Sequence, residues 1–321
     1  MGFWQKVGSL LLLGAALGQP GSASTVVQGT KPGARGRFVI DETGRHMTIP
    51  ANVQRIVSVA PSLTEIVYAL GAGDRLVGDT NLCDIPAEAK LKPHVGNPQN
   101  PSLEDIVALH PDVVLATTSI NYAATADTLL KLGIAVYTTD PETVLGTLDS
   151  FAKIGDVIGS KAEGVAVESA LRARLEALQG RLADHPPAHV LFLVWLTPPM
   201  SIGQNTFIAD ALRWAGAESI LATDQRWPNP AFEEVLRLQP DYIVLTTDHE
   251  GSGKDATDLR SRPQWKDLVA VQLGRVVTLN DDIERPSPAL VDGIEQLAHD
   301  LHPEIFIGCG SSGTGTAPCG R

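Results

Sequence analysis

Basic residues, aromatics, cysteines and long apolar runs are all scarce in this 321-residue chain, and each scarcity speaks against a class of function. Lysine and arginine number 25 against 37 acids, a formal net charge of -12. Phosphate recognition needs clustered basic side chains, so this balance argues against a nucleic-acid partner. The three cysteines, Cys83, Cys309 and Cys319, contain no CxxC pair, which argues against a zinc site. Of the eight histidines only His299 and His302 have ligand spacing, so direct metal-ion binding is not expected. There is no GxSxG elbow. Gly251-Ser-Gly-Lys254 lacks full phosphate-loop spacing and Gly71-Ala-Gly73 follows a helix, so both read as turns.

The apolar run Val7–Leu17 falls short of the ~20 residues of a membrane span. With Lys6 before it and the small residues Gly21-Ser-Ala23 after it, residues 1–23 read as a secretory signal peptide cleaved after Ala23. No cysteine lies near that site to carry a lipid, so the expected mature protein is soluble and periplasmic. Export argues against an enzyme needing nicotinamide or ATP, although an exported cleft enzyme stays the contrasting class. In an oxidising compartment Cys309 and Cys319 either close a small disulfide loop or are incidental thiols in a Gly/Ser/Thr tail.

What is present is a globular composition, 43% hydrophobic and 19% charged, long enough for two domains. A flexible lead (24–36) precedes short alternating runs around Glu42-Thr-Gly-Arg45, a predicted hairpin. Arg55–Ala60 reads as a strand, and Ser62 with Glu65 has capping-box spacing for the helix that ends near Gly71. The segment Pro101–Thr118 then reads as capped helix, Pro-Asp turn and buried strand. It recurs without a gap as Pro230–Thr247, matching Pro101, Glu104, Leu109, Pro111, Asp112, Thr117 and Thr118 with Pro230, Glu233, Leu238, Pro240, Asp241, Thr246 and Thr247. A match of that length is an internal repeat. Each copy leads to a further strand, Gly133–Tyr137 and Gly274–Thr278.

Between the copies, helix Thr143–Ile158 stops at Gly159. A second capping-box pattern at Ser160 and Glu163 opens a long helix with Val167, Leu171, Leu175, Leu178 and Leu182 at helical spacing. The expected architecture is α/β: a lobe over 37–159, a linking helix over 160–184, a second lobe over 185–307, and a tail over 308–321. Strands alternating with helices imply mainly parallel sheets, with a ligand cleft between the lobes beyond the strands' carboxyl ends.

The run Arg55–Gly78, the two helix-Pro-Asp-strand units and Glu284-Arg-Pro-Ser-Pro288 resemble the helical-backbone periplasmic binding proteins, closest to the cobalamin-binding branch. That family serves importers of cobalamin, haem and ferric siderophores. The resemblance implies a monomer that carries a large organic ligand as cargo, needs no cofactor and catalyses nothing. It also implies docking of Glu104 and Glu233 onto arginines of a membrane permease. Without it, both acids equally suit the positive end of a helix.

Carried over position by position, Pro61 and Ser62 fall on the cleft rim and Trp227 on the face of a corrin ring. Asp281 or Asp282, with Arg285, fall on the ligand edge. Core packing is the alternative for Trp227, and a surface ion pair for the acid–arginine set. Where cobalamin binders carry a Tyr and two Trp, this chain has Leu82, Pro98 and Thr117, and Met200 replaces a Phe. Trp195 could substitute for a missing aromatic or belong to the core. His94 reads as a loop residue, with haem ligation as its alternative.

Overall fold

The computed structural model describes residues 36–121, 123–246, 259 and 262–306; the expected signal peptide, Gly251-Ser-Gly-Lys254, Cys309 and Cys319 lie outside them. The described chain begins with an antiparallel hairpin, β1 (Gly36–Ile40) and β2 (His46–Pro50), as the alternation predicts. Asp41 closes its turn by accepting from the backbone N–H of Thr43 and Arg45. Glu42 fastens the hairpin to the first lobe by accepting from Ser150 Oγ and Asp140 N.

The first lobe runs through β3 (Ile56–Ser58), α1 (Pro61–Ala69), β4 (Leu76–Gly78), β5 (Gly96–Asn97), β6 (Asn100–Pro101), α2 (Leu103–Ala108), β7 (Val113–Thr117), α3 (Ala123–Lys131), β8 (Val136–Thr139) and α4 (Val144–Ile158). Its sheet has the order β4-β3-β7-β8 and is wholly parallel. Helix α5 (Lys161–Leu182) leads to the second lobe: β9 (Ala188–Leu196), β10 (Pro199–Ser201), α6 (Phe207–Trp214), β11 (Ala217–Ser219), α7 (Phe232–Leu238), β12 (Tyr242–Thr246), α8 (Val269–Gln272), β13 (Val276–Leu279), α9 (Leu290–Leu301) and α10 (Pro303–Phe306). There β11, β9, β12 and β13 pair in parallel, and β10 folds back antiparallel on β9.

The repeat is a shared folding unit. Asp112 and Asp241 each sit at the Pro-Asp turn and clamp the entrance of the neighbouring strand. Asp112 accepts from the N–H of Gln54 and Arg55, and Asp241 from that of His189. Before each turn the chain leaves its helix through a left-handed residue, His110 at φ 45° and Gln239 at φ 46°.

Two capping-box expectations are corrected. Helix α1 begins at Pro61 with Ala60 as its cap, because proline's fixed φ suits the first helical position. Ser62 is thus inside the helix and buried, and Glu65 is free to reach elsewhere. Ser160 does cap α5 by position, but its hydroxyl accepts from Arg75 Nη2 at 2.8 Å rather than from the helix. Arg75 also donates to the carbonyl of Ile158, tying off the end of α4.

The 22 residues of α5 rise about 33 Å at 1.5 Å each. Its buried stripe is Leu171, Leu175, Leu178 and Leu182, which joins one apolar cluster with α1, α4, α6 and α9. The joint between α4 and α5 depends on two glycines. A Cβ on Gly164 would lie 2.7 Å from the carbonyl of Phe151, and one on Gly155 2.7 Å from that of Ser160. Arg174 clasps α5 to α9 through a two-pronged pair with Glu295 at 3.0 and 2.6 Å. No helix among the described residues is long and apolar enough to cross a membrane.

Candidate functional site

Parallel strands end on one side of each sheet, and there the two lobes meet around a cavity of about 400 Å³. The first lobe contributes Thr118 and Ser119 after β7 and Asp140, Pro141 and Glu142 after β8. The second contributes Thr206, Phe207 and Ile208 at the start of α6, Arg226 and Trp227 from a loop, and Glu284 and Pro286 after β13. Trp227 is 42% exposed and lines this cavity rather than the core, so its indole face is available. A second, apolar cavity of about 270 Å³ lies under α3, against Val114, Ala116 and Val136 of the first sheet, and not between the lobes.

Several polar contacts hold the lobes together at the cleft, among them a side-chain hydrogen bond between Glu65 and Ser287. Asp210 of α6 accepts from the N–H of Val144 at 2.8 Å. Arg285 reaches across to Glu65 of α1 at 3.3 Å, and pairs within its own lobe with Asp281 at 2.9 Å and Asp282 at 3.2 Å. Glu65 is 7% exposed, and burial pushes its carboxyl above the usual range while Arg285 pulls it back. The acid–arginine set therefore forms a cluster as the sequence suggests, but that cluster is also a bridge between lobes.

Of the expected ligand-contacting residues Trp227 alone is among the described lining residues; Pro61, Ser62, Thr117, Asp281, Asp282 and Arg285 lie outside that lining. Pro61 opens α1 just beyond β3, half-buried, with Ser62 buried behind it. Thr117 is the last residue of β7 and 1% exposed, its hydroxyl bonded to Ser119 Oγ at 3.1 Å, so Thr118 and Ser119 form the wall instead. Pro98 is buried between β5 and β6, Leu82 is exposed after β4, and Met200 is half-buried on β10 opposite Trp195. Trp195 donates its indole N–H to the carbonyl of Thr197. Leu82, Pro98, Met200 and Trp195 are not among the residues lining the cavity.

His94 lies outside that lining as well. Its Nδ1 is 2.8 Å from Oδ1 of the fully buried Asp79, whose carboxyl is pushed up by burial and pulled back by His94. Cys83 is buried and free, between the hydroxyls of Thr64 and Thr80. No group of three or more His, Cys, Asp or Glu that could hold a metal ion occurs among the described residues.

Sequence reasoning missed Asn121, Asp140, Glu142 and the start of α6. Asn121 is a three-way staple of the first lobe's rim. Its Oδ1 accepts from Thr117 N, and its Nδ2 donates to the carbonyls of Val59 and Pro98, each at 2.8 Å. A signal for Asp140 did exist. Aligning Gly133–Tyr137 with Gly274–Thr278 and counting on places Asp140 opposite Asp281. Nothing in the local sequence marks Asn121, since beside the nearby end of β7 it holds two distant segments, at Val59 and Pro98.

Glu104 and Glu233 occupy the same second position of α2 and α7, both exposed. One turn on, Val107 and Leu236 are 38% and 37% exposed, so the two units present nearly the same face.

Comparison with known proteins places this architecture among described ones. The family described as periplasmic binding protein matches residues 56–283. An uncharacterized ABC transporter substrate-binding lipoprotein of Bacillus subtilis is 30% identical over 275 residues, covering 83% of this chain and 85% of that protein. The vitamin B12-binding protein of Vibrio cholerae is 28% identical over 254 residues, covering 77% and 89%. The crystal structure of the Vibrio cholerae periplasmic vitamin B12 binding protein superposes with a TM-score of 0.70 at 28% identity, covering 78% of this chain and 97% of that one. That of a periplasmic heme binding protein from Pseudomonas aeruginosa gives 0.69 at 27% identity, covering 78% and 93%.

Proposed function

The chain belongs to the periplasmic binding protein family, and from that premise we propose that it captures cobalamin or a related corrinoid and delivers it to a membrane permease. The coarser statement stands on the family itself: this is an extracytoplasmic solute-binding protein of an ABC importer, of the class that includes vitamin B12 and heme binders. Its relatives are binding proteins rather than enzymes.

The observation that carries the corrinoid reading is the interlobe cavity with Trp227 on its wall. A flat macrocycle needs a flat apolar face to stack on and polar groups at its edge. Trp227 supplies the first; Thr118, Ser119, Asp140, Glu142 and Glu284 supply the second. The similarity to vitamin B12-binding proteins supports the same choice. Heme is the second reading, favoured by the likeness to the Pseudomonas aeruginosa protein.

In this reading residues 1–23 direct export, the lobes span 37–159 and 185–307, and α5 limits closure about the cargo to a small hinge motion. The protein acts as a monomer, and Glu104 and Glu233 orient it on the permease. Calorimetry and visible spectra with cyanocobalamin, haemin and a panel of ferric siderophores test the ligand. Tight binding of cyanocobalamin alone is the expected result, and its silence beside a binding siderophore or haemin would overturn the corrinoid reading.

A further inference from the structure

We infer that this cleft selects metal chelates that present hydrogen-bond donors or positive charge, and rejects those rimmed with carboxylates or catecholates. The inference deepens the importer reading of the same cavity and rests on it.

The lining is rich in acceptors. Asp140 and Glu142 from the first lobe and Glu284 from the second face Arg226, the one cation among the described lining residues. The neighbouring Arg285 is already engaged with Glu65, Asp281 and Asp282. Turning it toward an anion would take from Glu65, whose side chain is only 6% exposed, its cationic partner. Two of the three cleft hydroxyls are committed too. Thr118 Oγ1 donates to Asp140, and Thr206 Oγ1 donates to the carbonyl of Gly203 while accepting from Ala209 N.

One feature opposes this balance. The first turn of α6 reaches the cavity, and a helix start favours negative charge. Asp210 already sits in that turn, and the Thr206 hydroxyl occupies one of its N–H groups. Little of that positive end is left for a ligand.

Among the described lining residues an incoming carboxylate would thus meet three carboxylates against one guanidinium, whereas a primary amide, an ammonium or a cationic chelate would meet groups of complementary charge. Rejection by like charge is how such sites discriminate between ligands of one shape.

The test compares four probes by titration calorimetry: cyanocobalamin, the same molecule with one rim propionamide hydrolysed to a carboxylate, haemin, and a cationic ferric trihydroxamate. The monocarboxylate should bind about tenfold more weakly than cyanocobalamin. The double variant Asp140→Asn, Glu142→Gln should close most of that gap, read as the ratio of the two cobalamins' dissociation constants. Glu284→Gln, whose amide can still accept from Thr246, gives the same reading should the double variant melt early. Binding of the trihydroxamate with cyanocobalamin and haemin both silent would sink the corrinoid reading and uphold this selectivity. Equal affinity for the two cobalamins would overturn the selectivity and leave the corrinoid reading intact. A gap unchanged in the variants, haemin as the tightest probe, or no binding by any of the four would each overturn it as well.

Discussion

The two lobes share a frame and differ at the rim. In both, a short helix with an exposed glutamate in its first turn leads through a left-handed residue to a Pro-Asp clamp and a buried strand. Beyond the strand ends the likeness stops. The first lobe offers Thr118, Ser119, Asp140 and Glu142, small or acidic groups without an aromatic, while the second adds Phe207, Arg226 and Trp227 to its Thr206 and Glu284. The clamp is a local solution to joining helix and strand, so it works in any copy of the unit. The rim is made by loops, which can vary without disturbing the sheets.

The strongest challenge to this comparison addresses the shared face. Glu104→Lys combined with Glu233→Lys is expected to abolish uptake in a reconstituted transport assay, because two cations would meet a basic partner. Ligand affinity should stay unchanged, since neither residue lines the cavity. Normal uptake by the double variant would remove the docking role.

Next in size is the difference at the rim. Trp227→Ala should weaken ligand binding about thirtyfold, near 2 kcal/mol, with little change in melting temperature. Thr118→Ala, on the facing wall, should cost far less. Equal losses for the two would mean that the second lobe does not supply the anchor.

The clamps sharpen the comparison further. Asp112→Ala and Asp241→Ala should each cost about 1 to 2 kcal/mol in urea unfolding, from lost charge-assisted bonds to backbone N–H. Asp112 should cost more, as it holds two such groups where Asp241 holds one. The reverse order would show that the two units do not carry load alike.

The smallest effect expected is a pH dependence at the bridge between lobes. Burial raises the carboxyl of Glu65 above its usual 4.5, so the folded protein retains that proton at pH values where the unfolded chain has lost it. The stability this contributes is full below the unfolded value and is lost as pH rises through the folded one. Glu65→Gln cannot titrate, so the melting temperature of wild type relative to this variant should fall as pH rises above about 4.5 and then level off. A difference that stays flat from pH 4 to 7 would show that Glu65 is not held in this way.

Much of the frame is local and was legible from residue order alone. Thr143 caps α4 through its hydroxyl, Gly159 ends it in a left-handed conformation at φ 78°, and the leucine spacing of α5 predicts its buried stripe. These depend on neighbours a few positions away, as does the Pro-Asp unit that reveals the duplication. Trp227 and the cluster around Arg285 were found through resemblance, and the structure shows what each touches.

Local patterns also misled where a distant partner outbid a near one. Ser62 and Glu65 have the spacing of a capping box, yet proline starts the helix two residues earlier and Glu65 pairs with Arg285, 220 residues away in the chain. Ser160 gives its hydroxyl to Arg75. Residue order alone thus determined the main helices and strands, the Thr143 and Gly159 caps of α4, the duplication and the family, because hydrogen bonds within a turn and apolar periodicity act over a few residues. Only the tertiary structure decided that Gly155 and Gly164 must be glycine at the α4–α5 joint, that Asn121 ties the end of β7 to the segments at Val59 and Pro98, and that Asp140, Glu142 and Glu284 meet Trp227 in one cavity. Those are contacts between surfaces that no local pattern brings together, and they exist only once two sheets and a long helix have set the distances between them.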